Sequence, residues 1–144
     1  MKKAAFICFS LVPLLASSQS REIEKVIIDA FEEVVSTYDS DKLTTYFTDD
    51  FLLLEHGEIW NNDTLNALFK RALTEGPVPQ RNNELTFIDI RIDDKVAWAS
   101  WDNKAEFYVE GSLVRQAHWL ESCVLVKEGS TWKIQMLHST RIEQ

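Results

Sequence analysis

The chain has 144 residues, 15 of them Lys or Arg and 23 Asp or Glu, for a net charge of −8; 45% are hydrophobic and 11% aromatic. That is one domain's length with enough apolar material to bury a core, which excludes a disordered chain. The acidic balance, with no basic cluster beyond Lys2-Lys3, repels phosphate backbones and anionic lipid heads, so neither nucleic acid nor a membrane surface is an expected partner.

Residues 1–18 read as a signal peptide. Lys2-Lys3 is a positive start, Ala4 to Ala16 is apolar apart from Ser10 and Pro13, and Ala16-Ser17-Ser18 offers the small residues a signal peptidase needs. The apolar run is well short of the roughly 20 residues of a membrane-spanning helix. Cleavage is expected between Ser18 and Gln19, leaving 19–144 as the domain of an exported bacterial protein, periplasmic or secreted. A lipoprotein would need its acylated cysteine at the end of the run, and Cys8 lies in the middle. Removal takes away two lysines and no acid, so the mature charge is −10. It also leaves Cys123 as the only thiol, which precludes an intramolecular disulfide. In its alternating apolar run Cys123 reads as a small buried hydrophobe.

From residue 22, Ile23, Val26, Ile27, Ala30, Phe31, Val34, Val35 and Tyr38 follow the i, i+3, i+4, i+7 spacing of a long amphipathic helix. Asp39-Ser40-Asp41 breaks it and caps a short second helix that carries Leu43, Tyr46 and Phe47 on one face. Residues 51–54 are an apolar strand, Glu55-His56-Gly57-Glu58 a turn, and Ile59-Trp60 the start of a return strand. Asn61-Asn62-Asp63 caps a third helix with Leu65, Leu68, Phe69 and Ala72 on one side, and Gly76-Pro77-Val78-Pro79 ends it. Asn62-Asp63-Thr64 also spells a glycosylation sequon, but capping is the role expected of it.

After Arg81 the period changes to two. Four strands, at about 84–93, 96–109, 113–127 and 132–141, are joined by three short polar turns, which implies an antiparallel meander. With Gly111 and Gly129 centring their turns, partners on the two hairpins have residue numbers summing to about 222 and about 258. One face then holds Val96, Trp98, Asp102, His118, Leu120, Val124, Trp132, Ile134 and His138. The other holds Ala97, Ala99, Trp101, Ala105, Phe107, Ala117, Trp119, Glu121 and Cys123. The first face, apolar at one end and polar at the other, has the makings of a small-molecule pocket and is expected to be the concave one.

The order helix, short helix, hairpin, helix, meander resembles the nuclear transport factor 2-like superfamily, the α+β cone shared by ketosteroid isomerase and the SnoaL-like polyketide cyclases. Tyr38-Asp39-Ser40-Asp41-Lys42-Leu43 with Phe47-Thr48-Asp49-Asp50-Phe51, Gly57-Glu58-Ile59-Trp60 leading into Leu65 and Leu68, and Trp132-Lys133-Ile134-Gln135-Met136-Leu137-His138-Ser139 carry the likeness. It implies a curved antiparallel sheet wrapped around the long helix and two shorter ones, with a pocket open at one end. It also implies a homodimer through the convex sheet face, a role that the alanine-rich face with Trp101, Phe107 and Trp119 would suit.

Under the expected register Asp102, Leu120 and His138 form one cross-strand row, so that both His118 and His138 could approach Asp102. An Asp–His pair can serve as an acid/base unit for proton abstraction beside a carbonyl. Tyr38, on the long helix, could supply a phenol donor, and Trp60 and Trp98 could stack on a flat ligand. The alternative is that Asp102, His118 and His138 merely satisfy one another. A metal would have only those three residues and no spacing motif, so none is expected. No glycine-rich phosphate loop, nucleophile elbow or CxxC pair is present, so no cofactor is expected either. Two functions follow: a non-catalytic domain binding a small apolar or aromatic molecule through Tyr38, Trp60, Trp98, Asp102, His118 and His138, or a cofactor-independent isomerase, cyclase or dehydratase with Asp102 or His118 as base and Tyr38 as donor.

Overall fold

The computed structural model describes residues 12–143; the start of the expected signal peptide lies outside them, and Val12 to Ser18 belong to the first helix. That helix, α1 (Val12–Ala30), buries Ile23, Ile27 and Ala30, the stripe its periodicity predicts. Its last part departs from the α form. Phe31–Val35 is a π-turn, with Ser36 N–H donating to the Phe31 carbonyl at 2.8 Å, and the helix stops at Tyr38, which has φ +56°. A bulky residue in the left-handed region is uncommon, and here it ends the helix where Asp39 N–H still reaches back to the Val34 carbonyl.

A 3₁₀ turn, Ser40–Lys42, capped by the Asp39 side chain, leads into α2 (Leu43–Tyr46). Then come β1 (Phe47–Glu55), β2 (Glu58–Trp60) and α3 (Asn62–Thr74), whose N-cap Asn61 accepts from Thr64 N–H at 2.9 Å. The meander is β3 (Gln80–Asp93), β4 (Val96–Val109), β5 (Ser112–Glu128) and β6 (Thr131–Arg141). All six strands form one curved, unclosed sheet in the order β2-β1-β6-β5-β4-β3. β1 lies parallel to β6 and joins the hairpin to the meander.

Beyond a bulge beside the turn, where Tyr108 faces Leu113, strands β4 and β5 pair as expected: Val96 faces Val126 and Phe107 faces Arg115, each pair summing to 222. The β5–β6 register differs. Next to the turn Lys127 faces Trp132, a sum of 259, and beyond a bulge Val124 faces Met136 and Leu120 faces Thr140, a sum of 260. The turn alone puts Trp132 and Ile134 on the same face as Leu125; Gln135 is the extra residue, and beyond it Leu137 and Ser139 take up that face in place of Met136 and His138. The expected row Asp102–Leu120–His138 is therefore Asp102–Leu120–Thr140, and His138 faces Ser122.

The inner face is also the reverse of the expected one. Ala97, Ala99, Trp101, Cys123, Leu125, Trp132 and Ile134 pack in one core with Ile23, Ile27, Ala30, Phe31 and Val34 of α1. Alanines on that face leave room for a helix backbone to approach the sheet, while Trp101 fills the space between, its ring edge-on to Phe31 at 5.9 Å. Cys123 is buried in this core, where burial pushes its thiol pKa up. The alanine-rich face therefore cannot be the dimer surface.

Candidate functional site

Between α1, α3 and the inner face of β1, β5 and β6 lies a cavity of about 210 Å³. Phe31, Val35 and Tyr38, spaced i, i+4, i+7 along the end of the long helix, all line it. Phe47, Phe51 and Leu53 of β1, Leu65, Leu68 and Phe69 of α3, and Leu137 of β6 complete the apolar wall. Tyr38 is fixed edge-on against Phe69, with centroids 5.6 Å apart. Trp60 is half-buried at the rim, its indole N–H donating to Glu58 Oε2 at 2.8 Å.

The polar end is built by the sheet. Glu121 of β5 is only 5% exposed and its carboxylate accepts three hydrogen bonds: Trp101 Nε1–H at 2.9 Å and Asn103 Nδ2–H at 2.8 Å, both to Oε2, and Ser139 Oγ–H at 3.0 Å to Oε1. Burial raises the Glu121 pKa, an effect opposed by those donors and by the Arg81 charge. Arg81, at the start of β3, extends across Phe107 and Trp119, with its guanidinium carbon 5.5 and 5.1 Å from the ring centroids. Its Nε–H donates to Asn83 Oδ1 at 2.8 Å. Burial lowers the Arg81 pKa, and the Glu121 charge opposes that shift. Glu55, at the end of β1, is raised by burial and held back chiefly by the His56 charge, its carboxylate 3.3 Å from His56 Nε2. Trp119 Nε1–H is buried near Glu55 without a hydrogen-bond partner.

Residues 25–141 match the SnoaL-like domain. The chain belongs to that family. No curated protein sequence matches it. Solved structures similar to this SnoaL-like domain include a nuclear transport factor 2-like protein from Cytophaga hutchinsonii, 17% identical over 88% of this chain and 98% of that one, with a TM-score of 0.64. The CaMKII hub from S. rosetta is 16% identical over 85% of this chain and 95% of its own, with a TM-score of 0.68. A protein of unknown function from Mycobacterium tuberculosis is 13% identical over 94% and 79%, with a TM-score of 0.74. At such identities the likeness establishes the fold alone, an α+β cone like that of the nuclear transport factor 2-like protein.

In this SnoaL-like domain the residues singled out from sequence divide between two faces. Tyr38 and Trp60 line the cavity. Asp102 and His118 do meet, with His118 Nε2 2.6 Å from Asp102 Oδ2, but on the outer face of the sheet. His138 is exposed there, and with His118 and His56 it borders a wide outer groove. Trp98 is 44% exposed on the outer face. Among the described residues no three His, Cys, Asp or Glu side chains are placed to hold a metal.

Sequence reading overlooked Arg81, Glu55 and Glu121. For Glu121 a signal was present, since it is the one acid among Ala97, Ala99, Trp101, Trp119 and Cys123, and a charge on a face otherwise composed for burial marks a polar group with partners. Arg81 gave no such signal. It follows the Pro79-Gln80 turn, ahead of the residues whose alternation marks the strand.

Proposed function

We propose that this SnoaL-like domain binds a small molecule in the cavity between α1 and the inner face of the sheet. The observation that carries the reading is one apolar-walled cavity with Tyr38, Arg81, Glu121 and Ser139 converging at one end. Its volume is close to the 150 Å³ that accommodates a benzene ring and below the 300–1,000 Å³ of common ligand pockets. A single ring or a short chain fits, and a fused polycyclic ligand does not. The enzymatic alternative needs its base beside the ligand. Asp102 and His118 lie across the sheet from the cavity, so binding without turnover is the preferred reading.

We further propose an exported homodimer. Export is supported by the lysine-led apolar segment of residues 1–18, and no helix among the described residues is long and apolar enough to cross a membrane. The dimer surface would be the outer sheet face, where Leu52, Met136, Val124 and Trp98 form one continuous row across β1, β6, β5 and β4, flanked by exposed Val96 and Leu120. A contiguous apolar patch of this kind is what a subunit interface covers. The cavity reading is tested with Leu68→Trp, which fills the cavity from α3. A small aromatic compound that raises the melting temperature of the wild type should leave that of the variant unchanged. An equal rise in both would place the ligand elsewhere.

A further inference from the structure

The cavity holds N–H groups from which no described residue accepts. Its buried acceptor is committed, with the Glu121 carboxylate taking three donors, and Glu55 faces His56. The donors are not. An arginine carries five N–H groups, and Arg81 uses only Nε–H, on Asn83. Among the described residues, neither Nη nitrogen makes a hydrogen bond and no carboxylate forms an ion pair with the guanidinium. The Tyr38 hydroxyl, which lines the same cavity, has no hydrogen-bond partner among them either.

The charge around this end points the same way. Arg115 stacks on Phe107 at 3.7 Å and Arg141 lies 6.0 Å from the Trp119 ring, so the two aromatic rings that hold Arg81 carry further guanidiniums. Glu55 and Glu121 stand against these three cations at the cavity, and Glu58 lies at its rim beside Trp60. None of the three arginines forms an ion pair among the described residues. An arginine fork with free Nη groups matches a carboxylate in bidentate geometry.

Resting on the reading that the cavity is the ligand site, we propose that its ligand is a small monocarboxylic acid with a compact aryl or alkyl tail. The tail lies among Phe31, Val35, Phe51, Leu65 and Leu68. The carboxylate lies against the Nη edge of Arg81, with the Tyr38 hydroxyl as a second donor. Glu55 and Ser139 border both the cavity and the outer groove, so the acid enters there, past Arg141.

The test uses phenylacetate, hexanoate and the neutral isostere phenylacetamide, followed by calorimetry and by the fluorescence of Trp60 and Trp119. Phenylacetate and hexanoate should bind the wild type, and phenylacetamide at least about tenfold more weakly than phenylacetate, the usual difference made by a charge-assisted hydrogen bond. Arg81→Gln should lose that tenfold for phenylacetate and not for the amide, and Arg81→Lys should retain part of it. The acid-to-amide comparison on wild type stands even if an Arg81 variant fails to fold. Equal binding of acid and amide, both lost in Leu68→Trp, would overturn the carboxylate assignment and leave the cavity reading intact. Failure of all three compounds to bind at millimolar concentration would overturn both, as would acid binding that persists in Leu68→Trp.

Discussion

Replacing Glu121 by Leu and by Gln separates the two roles its carboxylate can play, charge and hydrogen-bond acceptor. Leu leaves Trp101 Nε1–H and Asn103 Nδ2–H without an acceptor; both residues are fully buried, and Asn103 Oδ1 already lacks a partner. Each orphaned donor costs about 1–3 kcal/mol, so Glu121→Leu should lose about 2–6 kcal/mol, a large share of the 5–15 kcal/mol typical of a domain. The Ser139 hydroxyl adds little, because it can rotate. Gln should be nearly neutral. Trp101 and Asn103 both donate to Oε2, so one amide oxygen in that place serves both, and the amide nitrogen at the other position donates to Ser139 Oγ. The pH dependence then isolates the charge. Burial raises the Glu121 pKa above its unfolded value of about 4.5, so between the two values the native state binds more protons than the unfolded one. That contribution to stability is complete below the unfolded pKa and is lost as pH rises through the folded pKa. Gln has no such loss, so its stability relative to wild type should grow from acid toward neutral pH. Urea melts of the three proteins across that range, at matched ionic strength, measure both effects. A Gln variant as unstable as the Leu variant, or one whose relative stability falls with rising pH, would refute the hydrogen-bond account and assign the site's stability to the Glu121–Arg81 charge interaction.

Phe51 is 1% exposed and packs on Phe47 at 4.5 Å, so Phe51→Ala should cost about 3–5 kcal/mol by thermal melt while widening the cavity enough to admit a larger ligand. A loss below 1 kcal/mol would mean that the cavity collapses onto the gap. Trp98→Glu, on the outer row, should convert a dimer to a monomer in sedimentation velocity with little change in circular dichroism; a wild type that sediments as a monomer at micromolar concentration removes the interface. Asp102→Asn breaks the charge of the His118 pair without touching the cavity, so affinity for a cavity ligand should stay within about twofold by calorimetry. A collapse of binding there would move the site to the outer face.

The sequence by itself determined the elements, their order and one register. The Ile23 to Val34 stripe specifies α1, Asn61 specifies the start of α3, and the two-residue period with the Gly111 turn, φ +77°, places β4 against β5 to within the one-residue bulge beside that turn. Tertiary structure decided the rest. The Gln135 bulge belongs to the curvature of a sheet wrapped around a helix, and no local signal announces it; together with a one-residue shift at the Gly129 turn it moved His138 one row from Asp102. The parallel pairing of β1 with β6 joins segments some eighty residues apart, beyond the reach of any turn. Most consequential was which face turns inward. Period two separates two faces but gives neither a sign. Here both are half apolar, one because α1 covers it with Ala97, Ala99 and Trp101 beneath, the other because Trp98, Val124 and Leu120 sit outside. Only the docking of α1 chooses between them, and with that choice Arg81 and Glu121 come into the cavity while Asp102 and His118 stay on the far side of the sheet.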